Sequence, residues 1–257
     1  GAVSFADAMF NDPSFSIAGE GLDPVLEFEG TGSPATDFSF SGSLDVGRGE
    51  SLWKSVYISW SEHPLKLTAS GRYDPGSDAI DGLVAHVLLP EVGVIDVTGQ
   101  AGFGAAPTFD LATEARLSLG PLYSLSTEAG VSEEARMRIE GALEAALRVR
   151  KAGEALSAGG RVKLSDTNIE RPQSETFVLG VTADLPLLYE SGPALPETSE
   201  GALPEEGKIR IREFQNPYLT LKSMAFAVRA GVNALAFEPV SLELYGGRLE
   251  LGRTTFR

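Results

Sequence analysis

From Arg136 to Lys151 the chain reads RMRIEGALEAALRVRK, and every large apolar side chain falls on an odd position: Met137, Ile139, Leu143, Leu147 and Val149. The even positions carry Arg136, Arg138, Glu140, Glu144, Arg148 and Arg150 with two alanines between them. A helix would align Ile139, Leu143 and Leu147 at spacing four, but it would scatter Met137 and Val149 off that stripe. A strand places all five on one face. The pattern therefore predicts one long two-faced strand, well beyond the usual five or six residues.

The same period recurs along the chain in SFSI, VLEFEG, FSFSGSL, LKLTASGRY, VIDVTG, RLSLG, GRVKL, FVLGVTADL, KIRIREF and YLTLK. Turn signals stand between many of these runs, at Asp74-Pro75-Gly76, Asp81-Gly82, Gly159-Gly160 and Asn216-Pro217. With 29 Gly and 15 Pro in 257 residues, short elements joined by turns are favoured over long helices. Three strands end on the pattern apolar-x-apolar-x-Gly, at Gly42, Gly71 and Gly99. Glycine inside a strand marks a bulge or bend, so a recurrent one suits a sheet that curves. The fold class expected is mainly all-β: a long, curved antiparallel sheet with little helix. Residues 1–188 form the main sheet region. The acidic, Pro-rich stretch 189–207 reads as a loop, and 208–257 reads as a β tail too small to stand alone, pairing with the main sheet.

The end of the tail, VSLELYGGRLELGRTTFR, reads as a hairpin. A two-residue turn at Gly246-Gly247 would set Leu244 opposite Leu249, Glu243 opposite Glu250 and Leu242 opposite Leu251. Four leucines would then share one face. The strand pattern is still running at Arg257, and Gly1 stands where a Met would open a natural chain. Both features lead to the expectation that these residues are a segment of a longer protein.

Little in the sequence points to chemistry. No cysteine is present, which removes disulfides, thiolate nucleophiles and Cys-based zinc sites. The net charge of −15 would repel a phosphate backbone, so a nucleic-acid partner is not expected, and adhesion to an anionic membrane face is weakened. No run reaches the 18 to 20 apolar residues of a membrane-spanning helix, YLTLKSMAFAVRAGVNALAF being broken by Lys222 and Arg229. His63 and His86 lack a nucleophile motif beside them and read as structural. Asp74, Asp78 and Asp81 lack the ligand spacing and closing Glu of a calcium loop, and a hairpin turn accounts for them better. GQAGFGAA, residues 99–106, lacks a following helix and Lys-Ser/Thr, and reads as a loop with no phosphate to cradle. No catalytic residue, cofactor or metal is assigned, and the chain is not expected to be an enzyme.

Two readings of the two-faced strands remain. In one, a β-sandwich interaction or carbohydrate-binding module, the apolar face is ordinary core. In the other the apolar face is a groove for lipid chains, each buried methylene contributing about 0.8 kcal/mol.

The strands LKLTASGRYDPGSDAIDGLVAHVLLPEVGVIDVTGQAGF, with FDLATEARLSLGPL and the terminal LYGGRLELG, resemble the AsmA-like superfamily, the TamB- and YdbH-type bridge-like intermembrane lipid transport proteins. The resemblance covers residues 60–257 loosely. It implies a U-shaped sheet, an open barrel-like segment whose apolar channel carries phospholipid between inner and outer membranes. It also implies a periplasmic protein of a Gram-negative envelope, anchored to the inner membrane through regions outside these residues, with envelope proteins as possible partners. The residues that would line the groove are then Met137, Ile139, Leu143, Leu147, Val149, Leu242, Leu244, Leu249 and Leu251.

Overall fold

The computed structural model describes all residues except 13–15, 34–36, 54–55, 105, 127–136, 193–204, 245–246 and 257. It is 77% strand and 5% helical, and its antiparallel sheet does not close on itself. That is the mainly-β class the alternation predicts. The chain divides into two compact units, Gly1–Val131 and Ser132–Arg257.

The first unit holds β1 (Ala2–Ser4), β2 (Ala8–Asn11), β3 (Ile17–Leu22), β4 (Pro24–Ser33), β5 (Asp37–Val46), β6 (Glu50–Trp53) and β7 (Val56–Ser59). It continues with β8 (Leu65–Asp74), β9 (Ala79–Leu89), β10 (Gly93–Gly102), β11 (Thr108–Ser118) and a short helix α1 (Leu119–Ser126). Seven of these strands pair in the order β1-β4-β5-β8-β9-β10-β11, and β2-β3-β6-β7 form a second, smaller sheet. Register places Leu26 and Phe28 beside Leu44 and Gly42, Leu67 and Ala69, Val87 and Ala85, and Ile95 and Val97 on one face. The other face carries exposed ion pairs, Lys66–Asp45 at 3.7 Å and a bidentate Arg72–Asp37 pair.

Two of the four turn signals are turns. Asp74 closes one by accepting from the Gly76 N–H and the Ser77 hydroxyl, each at 2.8 Å, and these bonds hold its carboxyl below the usual carboxylate range. Asn216 closes the other by accepting from the Tyr218 N–H at 2.9 Å. The other two lie inside strands. Asp81-Gly82 is a bulge in β9: pairing with β8 slips one residue past Gly71, and pairing with β10 slips one residue past Gly99. Gly82 has φ +59, the left-handed conformation that both a turn and this type of bulge require, so sequence cannot separate the two. Two of the three recurrent glycines thus stand where the sheet bends, while Gly42 pairs regularly with Phe28 and Ala69. Gly99–Gly102 also belongs to β10, so the front half of the stretch expected as a loop at 99–106 is strand.

The second unit holds β12 (Arg138–Ala152), β13 (Ala155–Arg171), β14 (Thr176–Ser191), β15 (Glu205–Asn216), β16 (Leu219–Gly231), β17 (Ala234–Phe237), β18 (Val240–Leu244), β19 (Gly247–Leu251) and β20 (Thr254–Phe256). Seven pair in the order β12-β13-β14-β15-β16-β17-β20, and β18-β19 form a separate hairpin. The 15-residue β12 is the long two-faced strand, its odd positions half-buried and its even ones exposed up to Val149. Gly159-Gly160, expected as a turn, lies in mid-β13 opposite Arg148 and Leu147. The acidic, Pro-rich stretch is strand at both ends, β14 running to Ser191 and β15 starting at Glu205; β15 pairs with β14 from Lys208 to Gln215.

A row of left-handed residues crosses this sheet. Asp166 (φ +47) is the extra residue of a bulge in β13 and Gly180 (φ +62) that of a bulge in β14. The two slips cancel, and the Asn168 Oδ1 accepts from the Gly180 N–H at 2.8 Å to tie them together. Bulges bend the strand that carries them and increase its twist.

The terminal hairpin is shifted from the expected register by two residues. Leu242 stands opposite Leu249, Val240 opposite Leu251, Glu243 opposite Arg248 and Leu244 opposite Gly247. The turn residues Tyr245 and Gly246 lie outside the described residues. A slip of two keeps every residue on its face, because the pleat has period two. It also replaces a Glu–Glu pairing with Glu opposite Arg, the favourable cross-strand combination.

Candidate functional site

In the second unit the register stacks apolar residues into rows across the strands. Leu143, Leu164, Ala183, Ile209 and Phe226 form one row, and Ala145, Val162 and Leu185 the next. Leu147, Gly160 and Leu187 follow, then Val149, Ala158 and Tyr189. Burial is deep in the middle of the sheet, where Val228 is fully enclosed, Met224 is 5% exposed and Val181, Ala183 and Ala230 are buried. It fades toward the upper end of β14, where Leu187 is 38% and Tyr189 43% exposed.

Pro186 accounts for that change. The β14–β15 ladder ends at Asp184 opposite Lys208, two residues before Pro186, which has no N–H to give. A Cβ on Gly207 would lie 2.6 Å from the Pro186 Cδ, so the ring fills the gap where pairing would have continued. On the other face, Arg161 holds Asp184 at 2.9 Å and donates to the Glu206 carbonyl oxygen at 3.2 Å. Above this point β14 lies against the β16–β17 turn instead. Asn233, at φ +54 in that turn, accepts from the Glu190 N–H at 3.0 Å and donates its amide to the Glu190 carbonyl at 2.5 Å. Its own N–H reaches the Leu188 carbonyl at 3.2 Å. One asparagine thus stands in for a strand partner.

Between these elements lies an open hollow of about 840 Å³. Val162 and Ala158 of β13, Leu185, Leu187 and Tyr189 of β14, and Leu235 of β17 supply its walls. Its polar groups are the Tyr189 hydroxyl and the Asn233 amide, and the amide is spent on β14; no acid, base or histidine lines it. Such a volume falls within the usual range for small-molecule sites, and the lining can hold hydrocarbon without polarising any bond.

The sequence candidates lie around the hollow and do not line it. Leu147 and Val149 are one strand away, opposite Gly160 and Ala158. Leu143 and Ile139 are farther down the same strand, with Met137 half-buried just before it. Leu242, Leu244, Leu249 and Leu251 belong to the hairpin by register; Leu251 is exposed, and the side chains of the other three lie outside the described residues. The hollow's own walls were legible in VTADLPLLYES, where Val181, Ala183, Leu185, Leu187 and Tyr189 keep the alternation running through Pro186. Proline and the acidic residues that follow hid it, since both signal loop.

The other polar clusters have local structural tasks. The His86 Nδ1 lies 2.7 Å from the Asp96 Oδ1 across β9 and β10 on the exposed face. Asp78 accepts from the Tyr73 hydroxyl at 2.8 Å, which raises the phenol's pKa. No group of acids and histidines is arranged to hold a metal ion among the described residues, and no described helix is long and apolar enough to cross a membrane. In comparisons with protein-family models, curated proteins and solved structures, nothing matches the chain.

Proposed function

We propose that the protein is a lipid-binding segment of a cell-envelope protein, holding phospholipid acyl chains against the apolar face of its open sheet on their way between membranes. The observation that carries this reading is the solvent-open hollow at Leu185, Leu187 and Tyr189, apolar in its walls and lined by no acid, lysine, arginine or histidine. A soluble sheet that leaves such a surface uncovered has a partner for it, and large exposed apolar patches mark interaction sites. Hydrocarbon suits the site because its affinity scales with methylenes buried, about 0.8 kcal/mol each, and asks for no directed hydrogen bond. The first unit supports the same reading, its apolar face exposing Leu26 and Phe28 on β4 at 40% and 49%. Transfer of this kind needs no catalytic residue, cofactor or metal. Placement in the periplasm, with an inner-membrane anchor in the full protein, follows from the likeness to AsmA-like proteins.

Lipid extraction and mass spectrometry of the purified protein test the proposal, with a photo-crosslinking residue at Leu187 and a control at the exposed Tyr218. Phospholipid adducts are expected at Leu187 and not at Tyr218. Recovery of no lipid in either experiment would sink the reading.

A further inference from the structure

The apolar face of the second unit ends in a single ammonium group. On β12 the odd positions run Ile139, Gly141, Leu143, Ala145, Leu147 and Val149, and the next is Lys151, half-buried and opposite Leu156, which is itself opposite Ser191. Two residues along a strand span about 6.6 Å and neighbouring strands lie about 4.8 Å apart. Lys151 therefore stands one row beyond Val149, Ala158 and Tyr189, the last two of which line the hollow, and its long side chain can extend toward that edge. On the opposite face Arg161 meets Asp184 at 2.9 Å, and Arg229 meets both Glu206 and Glu238 at 3.1 Å. Lys151 has no side-chain hydrogen bond or ion pair among the described residues. Two other charged register positions lie on this face, Glu205 opposite Ala230 at the start of β15 and Arg171 opposite Thr176 at the far end of β13.

Charge distribution favours the same end of the chain. The first unit carries 5 Lys and Arg against 18 Asp and Glu, a net of −13, and the second carries 16 against 18, a net of −2. An anion that the first unit would repel meets a nearly neutral field in the second.

Resting on the lipid reading, we infer that the hollow takes a phospholipid whose head group bears net negative charge. Its chain lies along Val162, Leu185, Leu187 and Tyr189, and its phosphate meets Lys151, with the Tyr189 and Ser191 hydroxyls as further donors. An unpaired cation at the end of an otherwise apolar row is the complement of an amphiphile with an anionic end.

Binding to the full chain can be measured by calorimetry with oleoyl-lysophosphatidylglycerol and with monooleoylglycerol, which share one acyl chain and differ in the phosphate, both below their micellar concentrations. Glycerol 3-phosphate supplies the head group without the chain. The lysophospholipid is expected to bind roughly fivefold tighter than the neutral lipid, the scale of a partly exposed ion pair. Lys151→Gln should remove that preference, Lys151→Arg should keep it, and glycerol 3-phosphate should not compete. Equal affinity for the two lipids, or a preference that survives Lys151→Gln, would overturn the assignment of Lys151 and leave the acyl-chain site standing. Competition by glycerol 3-phosphate alone would show a plain anion site and overturn the amphiphile. Failure of both lipids to bind would overturn the acyl-chain site and this inference together.

Discussion

At the scale of single residues, the fold leans on positions whose task is invisible without their neighbours. Gly160 has φ +151, and a Cβ built there would lie 2.0 Å from the Ala146 carbonyl oxygen. That obstacle is backbone and cannot rotate away. Gly160→Ala should therefore cost about 1–3 kcal/mol, measured by denaturant unfolding, and an unchanged midpoint would contradict this geometry. In the smaller sheet, Tyr57 donates to the Glu50 carboxylate, and this bond, reinforced by desolvation, pushes the phenol up to about 12. The stabilising contribution is complete below the phenol's ordinary pKa of about 10 and is lost as pH rises through about 12. Spectrophotometric titration of Glu50→Gln should show one tyrosine ionising at lower pH than in the parent protein. Superimposable titration curves would refute the pairing.

At the scale of elements, β12 shows how far periodicity reaches. Helix-favouring residues such as Glu-Ala-Leu in EGALEAAL lose to the alternation, because a strand puts every large side chain of the run on one face. Glycine pairs show where periodicity stops. Asp81-Gly82 and Gly159-Gly160 look like turns and are a bulge and a close backbone approach, a distinction made by the strands alongside. The terminal hairpin adds a third case, its faces readable and its register off by two. Asn233 gives the element scale its test. Its side chain makes two hydrogen bonds to the Glu190 backbone and so ties the β16–β17 turn to the free stretch of β14. Asn233→Ala should destabilise the protein by about 1–2 kcal/mol and increase exchange of the Glu190 amide, which loses its acceptor. If exchange there stays unchanged, the turn does not hold that wall of the hollow.

At the scale of the whole molecule, each strand of the large ladders packs chiefly on its ladder neighbours, so stability is close to a sum of local interfaces. Fully enclosed large side chains are few among the described residues, Val92 in one unit and Val228 in the other. A ligand that covers the open apolar surface should stabilise the fold measurably. At a free concentration near one hundred times its dissociation constant, lysophospholipid should add about 2.7 kcal/mol, seen as a rise in the thermal midpoint. No rise at saturation would argue that the hollow is not occupied by lipid in the folded state. The sequence by itself determined the class, the two faces and the absence of any nucleophile or thiol motif, because alternation and composition are local properties of the chain. Only the tertiary structure decided where that face opens. The opening arises where Pro186 on one strand, Gly207 on the next and Asn233 in a distant turn come together, and the spacing of residues along the chain carries no record of that meeting.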